Sequence, residues 1–300
     1  MLHIVYRSYG GENRKSRPPW YSKLLALGSL LRAKDRLSSP VEILYLNDGP
    51  IPPDRLRVME RTGEVIARAK LGNAGSLRLA YALPRTRSWA DHDLVWYAED
   101  DYLYRPDALS GYLAAAAVWP EASYFSMYAS FGWRGSGPPV TAGTAIHRDT
   151  WVPSEWRDSE PRSVEGHPWR RALSTTSTFG GRAGAIAQDE TLLNVAMMAG
   201  RAFDATTCLL LQGHRPFTLR LIAEPVRESL RWKSFAISAA RIAVDAWQLT
   251  HRGPKRLLVA SEPSLCTHLE LPYLALGSDW DALAHACERW SLEAGFTAHP

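Results

Sequence analysis

Three consecutive carboxylates, Glu99, Asp100 and Asp101, are the residues of this chain best suited to chemistry. They follow the apolar segment 93–98, which reads as a buried β-strand. Carboxylate oxygens are preferred ligands of Mg²⁺ and Mn²⁺, and such a cation can offset the charge of a departing diphosphate. Because alternate strand residues point the same way, Asp101 is the best metal-ligand candidate and Glu99 the second. A solvated acidic turn is the alternative interpretation.

Two further polar clusters follow predicted strands. Arg7, Ser8 and Tyr9 come after the strand at 2–6, and Asn47-Asp48 follows the strand at 41–46. Ligands on open parallel sheets bind outside the carboxyl ends of the strands. We therefore expect both clusters to lie beside the acidic one.

The elements that must position these clusters alternate between strand and helix. Helices are predicted at about 20–36, 53–61 and 76–83, with a strand at 64–67, a loop at 71–75, and Pro84 ending the third helix. This pattern predicts an α/β fold with an open, twisted, mostly parallel sheet of the Rossmann type flanked by helices.

The second half is less regular. Its predicted helices lie at 110–119, 189–200, 231–249 and about 281–292, its predicted strands at 124–128 and 144–147, and a long loop at 151–171. We expect a main domain over residues 1–215 and a helical C-terminal extension over 216–300, packed on the same domain.

Composition narrows the class of protein. The chain has 300 residues, 46% of them apolar, so it can bury a large core, and a net charge of +4 does not indicate nucleic-acid binding. Its three cysteines, Cys208, Cys266 and Cys287, lack metal-site spacing and cannot all pair. With no evident signal peptide or membrane span, the sequence predicts a cytoplasmic protein with reduced thiols. Phosphate-loop, dinucleotide-binding, zinc-protease and nucleophile-elbow motifs are absent from the sequence.

The order of elements and three motifs resemble the GT-A glycosyltransferases, in particular the large inverting family that includes bacterial polysaccharide synthases. Asp48 matches an acid that lies near the nucleotide base in that family, and Asn73-Ala74-Gly75 matches its Asn-x-Gly loop. Glu99-Asp100-Asp101 fits its Asp-x-Asp metal motif as an acidic-x-Asp variant. The resemblance implies a UDP- or GDP-sugar donor held through Mn²⁺ or Mg²⁺, with Arg7, Ser8, Tyr9 and Asp100 in the same nucleotide-sugar site.

The resemblance also implies roles for two later residues. The family places its catalytic base at the start of a later helix, and Asp189, followed by Glu190, resembles it. Helix capping is an equally good interpretation of an acid at that position. Several GT-A enzymes supply a metal-binding histidine from the C-terminal part, and His268 is the candidate here. A structural histidine is the alternative.

Partners on the acceptor side are less defined, and a glycan, a natural product or a lipid-linked intermediate all fit. Residues 215–256 hold nine basic and three acidic side chains, with Trp232 and Phe235 among them. This composition is typical of a peripheral contact with an anionic membrane, and also of a solvated basic helix. Trp151, Trp156 and Trp169 could line the acceptor side or lie in the core.

The sequence therefore predicts a metal-dependent, inverting glycosyltransferase. A degenerate glycosyltransferase-like binding or scaffold protein is one alternative. A sugar nucleotidyltransferase is another, although Tyr9-Gly10-Gly11-Glu12-Asn13-Arg14 only poorly matches the glycine-rich loop of that class.

Overall fold

The computed structural model describes residues 1–68, 70–128, 160–172, 175–251 and 253–296. The strands are β1 (Leu2–Ser8), β2 (Val41–Asp48), β3 (Glu64–Arg68), β4 (Leu94–Glu99), β5 (Tyr102–Tyr104), β6 (Tyr124–Ser126), β7 (Arg162–Val164), β8 (His167–Arg171), β9 (Phe179–Arg182), β10 (Leu258–Ser261) and β11 (Cys266–His268). The helices are α1 (Lys23–Asp35), α2 (Pro53–Thr62), α3 (Gly72–Thr86), α4 (Ala108–Val118), α5 (Ala183–Ala196), α6 (Phe203–Leu211), α7 (Leu219–Glu228), α8 (Trp232–Thr250) and α9 (Trp280–Glu293). Two 3-10 helices cover Met197–Ala202 and Leu271–Tyr273.

A nine-stranded sheet with the order β3-β2-β1-β4-β9-β6-β10-β8-β7 forms the centre of the described chain. Only β8 and β9 run against the other strands of this sheet. The prediction of a mostly parallel α/β sheet is therefore confirmed. In the parallel half, β1 lies between β2 and β4, with Leu2 paired to Val41 on one side and Leu94 on the other.

Alternation of side chains along the central strands produces a core on each face of the sheet. Tyr6 and Trp96 point into one core, while Val5 and Tyr97 point into the other, and all four are fully buried. Helices α1, α4 and α9 cover the first face, and α3, α5 and α6 cover the second. Burial of each such side chain contributes about 1.5–3 kcal/mol, so the two layers hold the strand ends in fixed positions.

The C-terminal part of the chain is built into this fold. Strand β10 lies between β6 and β8 in the main sheet, and β11 pairs antiparallel with β5 to form a second, two-stranded sheet. The extension predicted as helical therefore also contributes strands, while the division at residue 215 stays a prediction. In the β5–β11 pair His268 is the partner of Tyr102, the residue after the acidic cluster.

Several predicted boundaries were wrong. Helix α3 begins at Gly72 instead of residue 76, because Asp48 accepts hydrogen bonds from the N–H groups of Leu71 and Gly72, and it continues through Pro84 to Thr86. The predicted loop at 151–171 contains the hairpin of β7 and β8, whose Trp169 is fully buried in the core. The predicted strand at 144–147, together with Trp151 and Trp156, lies outside the described residues.

The remaining general expectations concern thiols and membrane spans. Cys208, Cys266 and Cys287 are all buried, and none of them forms a disulfide within the described residues. None of the helices within the described ranges has the length and apolar character needed to cross a bilayer.

Candidate active site

A cleft of about 470 Å³ opens at the carboxyl ends of β1, β2 and β4. The sequence-predicted residues that line it are Arg7, Ser8, Tyr9, Asp48, Asn73, Glu99, Asp100, Asp101 and His268. The parallel register explains this meeting, because Ser8 pairs with Asn47 of β2 and Arg7 pairs with Glu99 of β4. The expectation that the polar strand ends share one edge is thus met by the fold.

Arg7 is the central cation of the cleft floor. Its guanidinium donates to Ser76 Oγ at 2.9 Å and to both the backbone and side-chain oxygens of Asn73. It also pairs with Glu99, with Nη1 3.3 Å from Oε1. Since Arg7 is only 7% exposed, these bonds fix its position and join β1, β4 and the first turn of α3.

Asp48 stabilises the beginning of α3. Its Oδ2 accepts a hydrogen bond of 2.9 Å from Gly72 N, and its Oδ1 accepts one from Leu71 N. Gly72 has φ of 71°, a conformation that glycine adopts without a steric penalty. Asn73 and Gly75 therefore lie within α3, where the sequence predicted a loop, and of these two only Asn73 lines the cleft.

Asp100 holds the segment that follows β1. Its Oδ2 accepts from Ser8 Oγ at 2.7 Å and Tyr9 N at 3.1 Å, and it lies 2.9 Å from Lys23 Nζ. Lys23 in turn donates to the backbone oxygens of Tyr9 and Gly11. The carboxylate of Asp100, predicted to contact the nucleotide, is thus already bound by groups of the protein itself. It positions Ser8 and Tyr9 at the cleft.

Asp101 and His268 meet at the other side of the cleft. His268 Nε2 lies 3.1 Å from Asp101 Oδ2 because β11 pairs with the strand that directly follows Asp101. Two cations share the same oxygen, with Lys15 Nζ at 3.3 Å and Arg17 Nη2 at 3.1 Å. Burial raises the pKa of Asp101, but its hydrogen bond to His268 and the charges of His268, Lys15 and Arg17 together bring this pKa well below its usual value.

Glu99 has the opposite electrostatic environment. Burial raises its pKa to about 7, against the charge of Arg7, and the negative charges of Asp101 and Asp204 add to the increase. A positive ligand placed between Glu99 and Asp101 would relieve this repulsion.

The donor set can accommodate a divalent cation only with help from a ligand. Among the described residues, no group of three or more histidine, cysteine, aspartate and glutamate side chains is close enough to hold a metal ion. The neighbouring pair Asp101 and His268 offers one oxygen and one nitrogen donor. Mg²⁺ and ions like it are commonly held by one or two protein carboxylates together with substrate phosphates, so this pair fits a site completed by a diphosphate. The ion pairs of Lys15 and Arg17 with Asp101 would have to break before Asp101 could bind the ion.

Asp189 is not at a helix N-terminus, contrary to the sequence prediction. Helix α5 begins six residues earlier, at Ala183, and Asp189 points into the protein with 4% exposure. It accepts hydrogen bonds from Tyr124 Oη at 2.8 Å and from Arg256 Nε at 2.8 Å. Within the described part of the chain, the residues lining the cleft do not include Asp189.

Asp204 is an acid that the sequence analysis missed. It lies in the first turn of α6, accepts a hydrogen bond of 3.0 Å from Ser177 Oγ, and borders a small cavity of about 10 Å³. Burial raises its pKa to about 6, opposed by the Ser177 hydrogen bond and by the charge of Arg7. Its charge also acts on Glu99, which places it in the electrostatic field of the cleft.

Lys15 and Arg17 were missed as well, although both belong to the basic run Arg14-Lys15-Ser16-Arg17 in the loop after β1. A basic run in the first loop of a parallel sheet lies at the ligand-binding edge, and this signal could have identified them. Asp204 fits the pattern of an acid at the start of a helix, because it lies in the first turn of α6.

Comparison with known proteins gives only distant similarities. No protein-family model and no curated protein sequence matches this chain. Residues 1–349 of S. aureus TarS match at 13% identity and a TM-score of 0.41, over 83% of this chain and 70% of that one. Against the longer TarS structure the match spans 33% of its length.

Two more solved structures are similar at the same level. Glucosyl-3-phosphoglycerate synthase from Mycobacterium tuberculosis, in complex with Mn²⁺, UDP-glucose and phosphoglyceric acid, matches at 13% identity and a TM-score of 0.39, over 68% of this chain and 67% of that one. A 4-diphosphocytidyl-2C-methyl-D-erythritol synthase matches at 12% and 0.37, over 69% and 82%.

Proposed function

We propose that this chain is a glycosyltransferase that moves a sugar from a nucleotide-diphosphate donor to an acceptor hydroxyl. The observation that carries the proposal is the convergence of Arg7, Lys15, Asp101 and His268 in one cleft at the carboxyl ends of parallel strands. Two fixed cations and a carboxylate–histidine pair match the charges of a diphosphate and its counter-ion.

The chain's own cations would receive the diphosphate. Arg7 is held rigidly by Asn73 and Ser76, and Lys15 reaches the cleft from the loop after β1. As the bond to the sugar breaks, negative charge grows on the diphosphate, and fixed positive groups favour that state over the bound donor. Tyr9 and Asn13, joined by a hydrogen bond of 2.6 Å, border the same cleft and offer a surface for the nucleoside.

A divalent cation, when bound, would further offset the diphosphate charge as a Lewis acid. Asp101 and His268 would hold it, with Glu99 contributing its negative charge from the adjacent strand end. We propose Mn²⁺ or Mg²⁺ because carboxylate and phosphate oxygens dominate this donor set.

For the acceptor hydroxyl we propose Asp204 as the base, in place of Asp189. Neither aspartate lines the cleft, but the charge of Asp204 interacts with Arg7 and Glu99, which do line it. A carboxylate whose pKa is raised to about 6 is ionised at neutral pH yet is a stronger proton acceptor than an ordinary aspartate. Attack on the anomeric carbon from the side opposite the diphosphate would give inversion. The ion pair of Asp189 with Arg256 supports a structural role for Asp189.

A sugar nucleotidyltransferase is the second candidate, and the position of Lys15 favours it. A lysine from the first loop that reaches a phosphate site would also suit attack of a sugar phosphate on a nucleoside triphosphate. The two activities differ in their products, because the second one releases pyrophosphate.

Isothermal titration of UDP, GDP and their sugars, with and without Mn²⁺, tests the proposal. The wild-type chain is compared with Asp101→Asn and with the isosteric control Asp35→Asn, an exposed residue at the end of α1. We expect one nucleotide to bind in the micromolar range with Mn²⁺, and Asp101→Asn to weaken it at least about tenfold. The control variant should bind as the wild type does.

Two results would count against the proposal. Absence of binding for every nucleotide, with or without metal, would favour the scaffold alternative. Release of pyrophosphate from a nucleoside triphosphate and a sugar phosphate, without sugar transfer from a nucleotide-sugar, would favour the nucleotidyltransferase.

A further inference from the structure

The helical hairpin of α7 and α8 has its polar side turned inward. The buried residues of α8 are Ser234, Ser238, Arg241, Val244 and Asp245, of which only Val244 is apolar. A surface helix of a soluble protein normally turns its apolar side to the core and its polar side to water. Helix α8 departs from this rule, because four of its five buried residues are polar, although its Trp247 packs partly against the core.

Three of the inward polar residues are paired within the hairpin and its base, although Arg241 Nε is buried without a hydrogen-bond partner among the described residues. Arg241 donates to Leu221 O of α7 and pairs with Glu224 at 3.3 Å, and Ser238 Oγ donates to Ile222 O at 2.6 Å. Asp245 pairs with Arg215 at 2.6 Å. These contacts fix which side of α8 faces the protein, so the apolar side is held outward.

An apolar stripe runs along the outer side of α8. Trp232 is 81% exposed, Phe235 46%, Ile242 54% and Leu249 67%, at spacings of three or seven residues that keep them on one face. Leu230, in the connection before α8, is also exposed. Large side chains exposed together over several helical turns indicate a surface that binds something.

Basic residues gather at the end of the hairpin where the stripe begins. Arg227, Arg231 and Lys233 are exposed there, against the single exposed acid Glu228 among residues 227–235 of the described chain. Arg215, Arg241 and Arg256, which also belong to the basic segment seen in the sequence, are instead paired with Asp245, Glu224 and Asp189. Arg227, Arg231 and Lys233 therefore border the beginning of the apolar stripe as exposed charges.

We propose that the outer side of α8 binds an anionic lipid surface, with the stripe in the interface and the basic cluster against the lipid headgroups. A helix lying in the plane of a membrane combines aromatic and aliphatic side chains on one face with flanking Lys and Arg. The charge of the cluster selects an anionic membrane over a second copy of this chain, since the one acid of α8, Asp245, is buried and paired with Arg215 and so cannot meet the cluster. The inference is independent of the donor site.

Co-sedimentation with vesicles of phosphatidylcholine, with and without one third phosphatidylglycerol, tests the proposal. Each basic residue removed should lower partitioning into anionic vesicles about fivefold, so Arg231→Ala with Lys233→Ala should lower it roughly 25-fold. Trp232→Ser with Phe235→Ser should lower it about tenfold or more. High salt should weaken the binding of the wild type to anionic vesicles. Binding to neutral vesicles should be weak at any salt concentration.

Arg289→Ala with Leu292→Ser in α9 is the matched control, since both residues are exposed on another face. Its binding should equal that of the wild type, and all variants should keep the wild-type melting temperature because the replaced side chains are exposed. Equal binding of the hairpin and control variants, or no binding by the wild type, would overturn the proposal. So would a dimer in sedimentation velocity that Trp232→Ser with Phe235→Ser dissociates.

Discussion

The ammonium group of Lys15 lies 3.3 Å from Asp101 Oδ2 and equally far from His268 Nε2. It also pairs with Glu270 at 3.4 Å. Lys15 therefore supplies a positive charge at the point where Asp101 and His268 would bind a divalent cation.

This position leads to a prediction with two opposite signs. Lys15→Met removes a competitor for Asp101, so Mn²⁺ should bind the free protein more tightly, by about tenfold. The same change removes a cation proposed to contact the diphosphate, so the affinity for UDP or GDP should fall about tenfold. Titration of Mn²⁺ and of nucleotide separately measures both, with Lys34→Met on α1 as the control.

The two aspartates considered for the base, Asp204 and Asp189, should have different effects on transfer rate and stability when each is replaced by asparagine. Asp204→Asn should lower the rate of sugar transfer by about 10²–10⁴ while nucleotide affinity changes little. Asp189→Asn should leave the rate within a few fold but lower the free energy of unfolding by about 2 kcal/mol, because it weakens the buried pair with Arg256. Transfer assays and urea unfolding distinguish the two, and a reversal of these effects would restore Asp189 as the base.

The pH dependence of transfer follows from the raised pKa of Asp204. The base works only when ionised, so kcat/KM should rise with pH and level off above about 6. The effect on folding has the opposite sign, because a carboxyl with a raised pKa binds its proton more tightly in the folded state. Its contribution to stability is full at low pH and is lost as pH rises through about 6. An acidic limb near pH 4 in the rate profile would contradict the assignment.

Arg7 should be essential to the shape of the cleft. Arg7→Met leaves the oxygens of Asn73, Ser76 and Glu99 without their donor, so we expect the free energy of unfolding to fall by about 3 kcal/mol. Arg7→Lys keeps the charge but not the fork of donors, so its free energy of unfolding should lie between those of the wild type and Arg7→Met. Urea unfolding measures the effect, and a wild-type midpoint for Arg7→Met would show that these bonds contribute nothing.

Much of the site follows from sequence because it depends on local signals and one rule. Apolar runs identify β1, β2 and β4, and each run is followed directly by polar residues. Since parallel strands bring their carboxyl ends to one edge, Arg7, Asp48 and Asp101 could be placed together without a structure.

The remaining features depend on contacts between distant parts of the chain. Nothing near Asp189 indicates that α5 starts at Ala183, because Gly184 and the small residues around it form a weak helical pattern. The pairing of Asp189 with Arg256 and of Lys15 with Asp101 joins segments 67 and 86 residues apart. Tertiary packing decides these partners, and single-sequence patterns do not report it.

The pairing of β11 with β5 has a consequence for folding during synthesis. A ribosome delivers Arg7, Asp48 and Asp101 early, yet His268 emerges 167 residues after Asp101. Strand β10, which fills the gap between β6 and β8, also comes from this late segment. Domains tend to fold from the N-terminus during synthesis. The sheet of the nascent chain therefore stays incomplete until the last quarter of the chain, which contains β10 and β11, has been synthesised. During that interval the edge of β6 that later pairs with β10 has no partner strand.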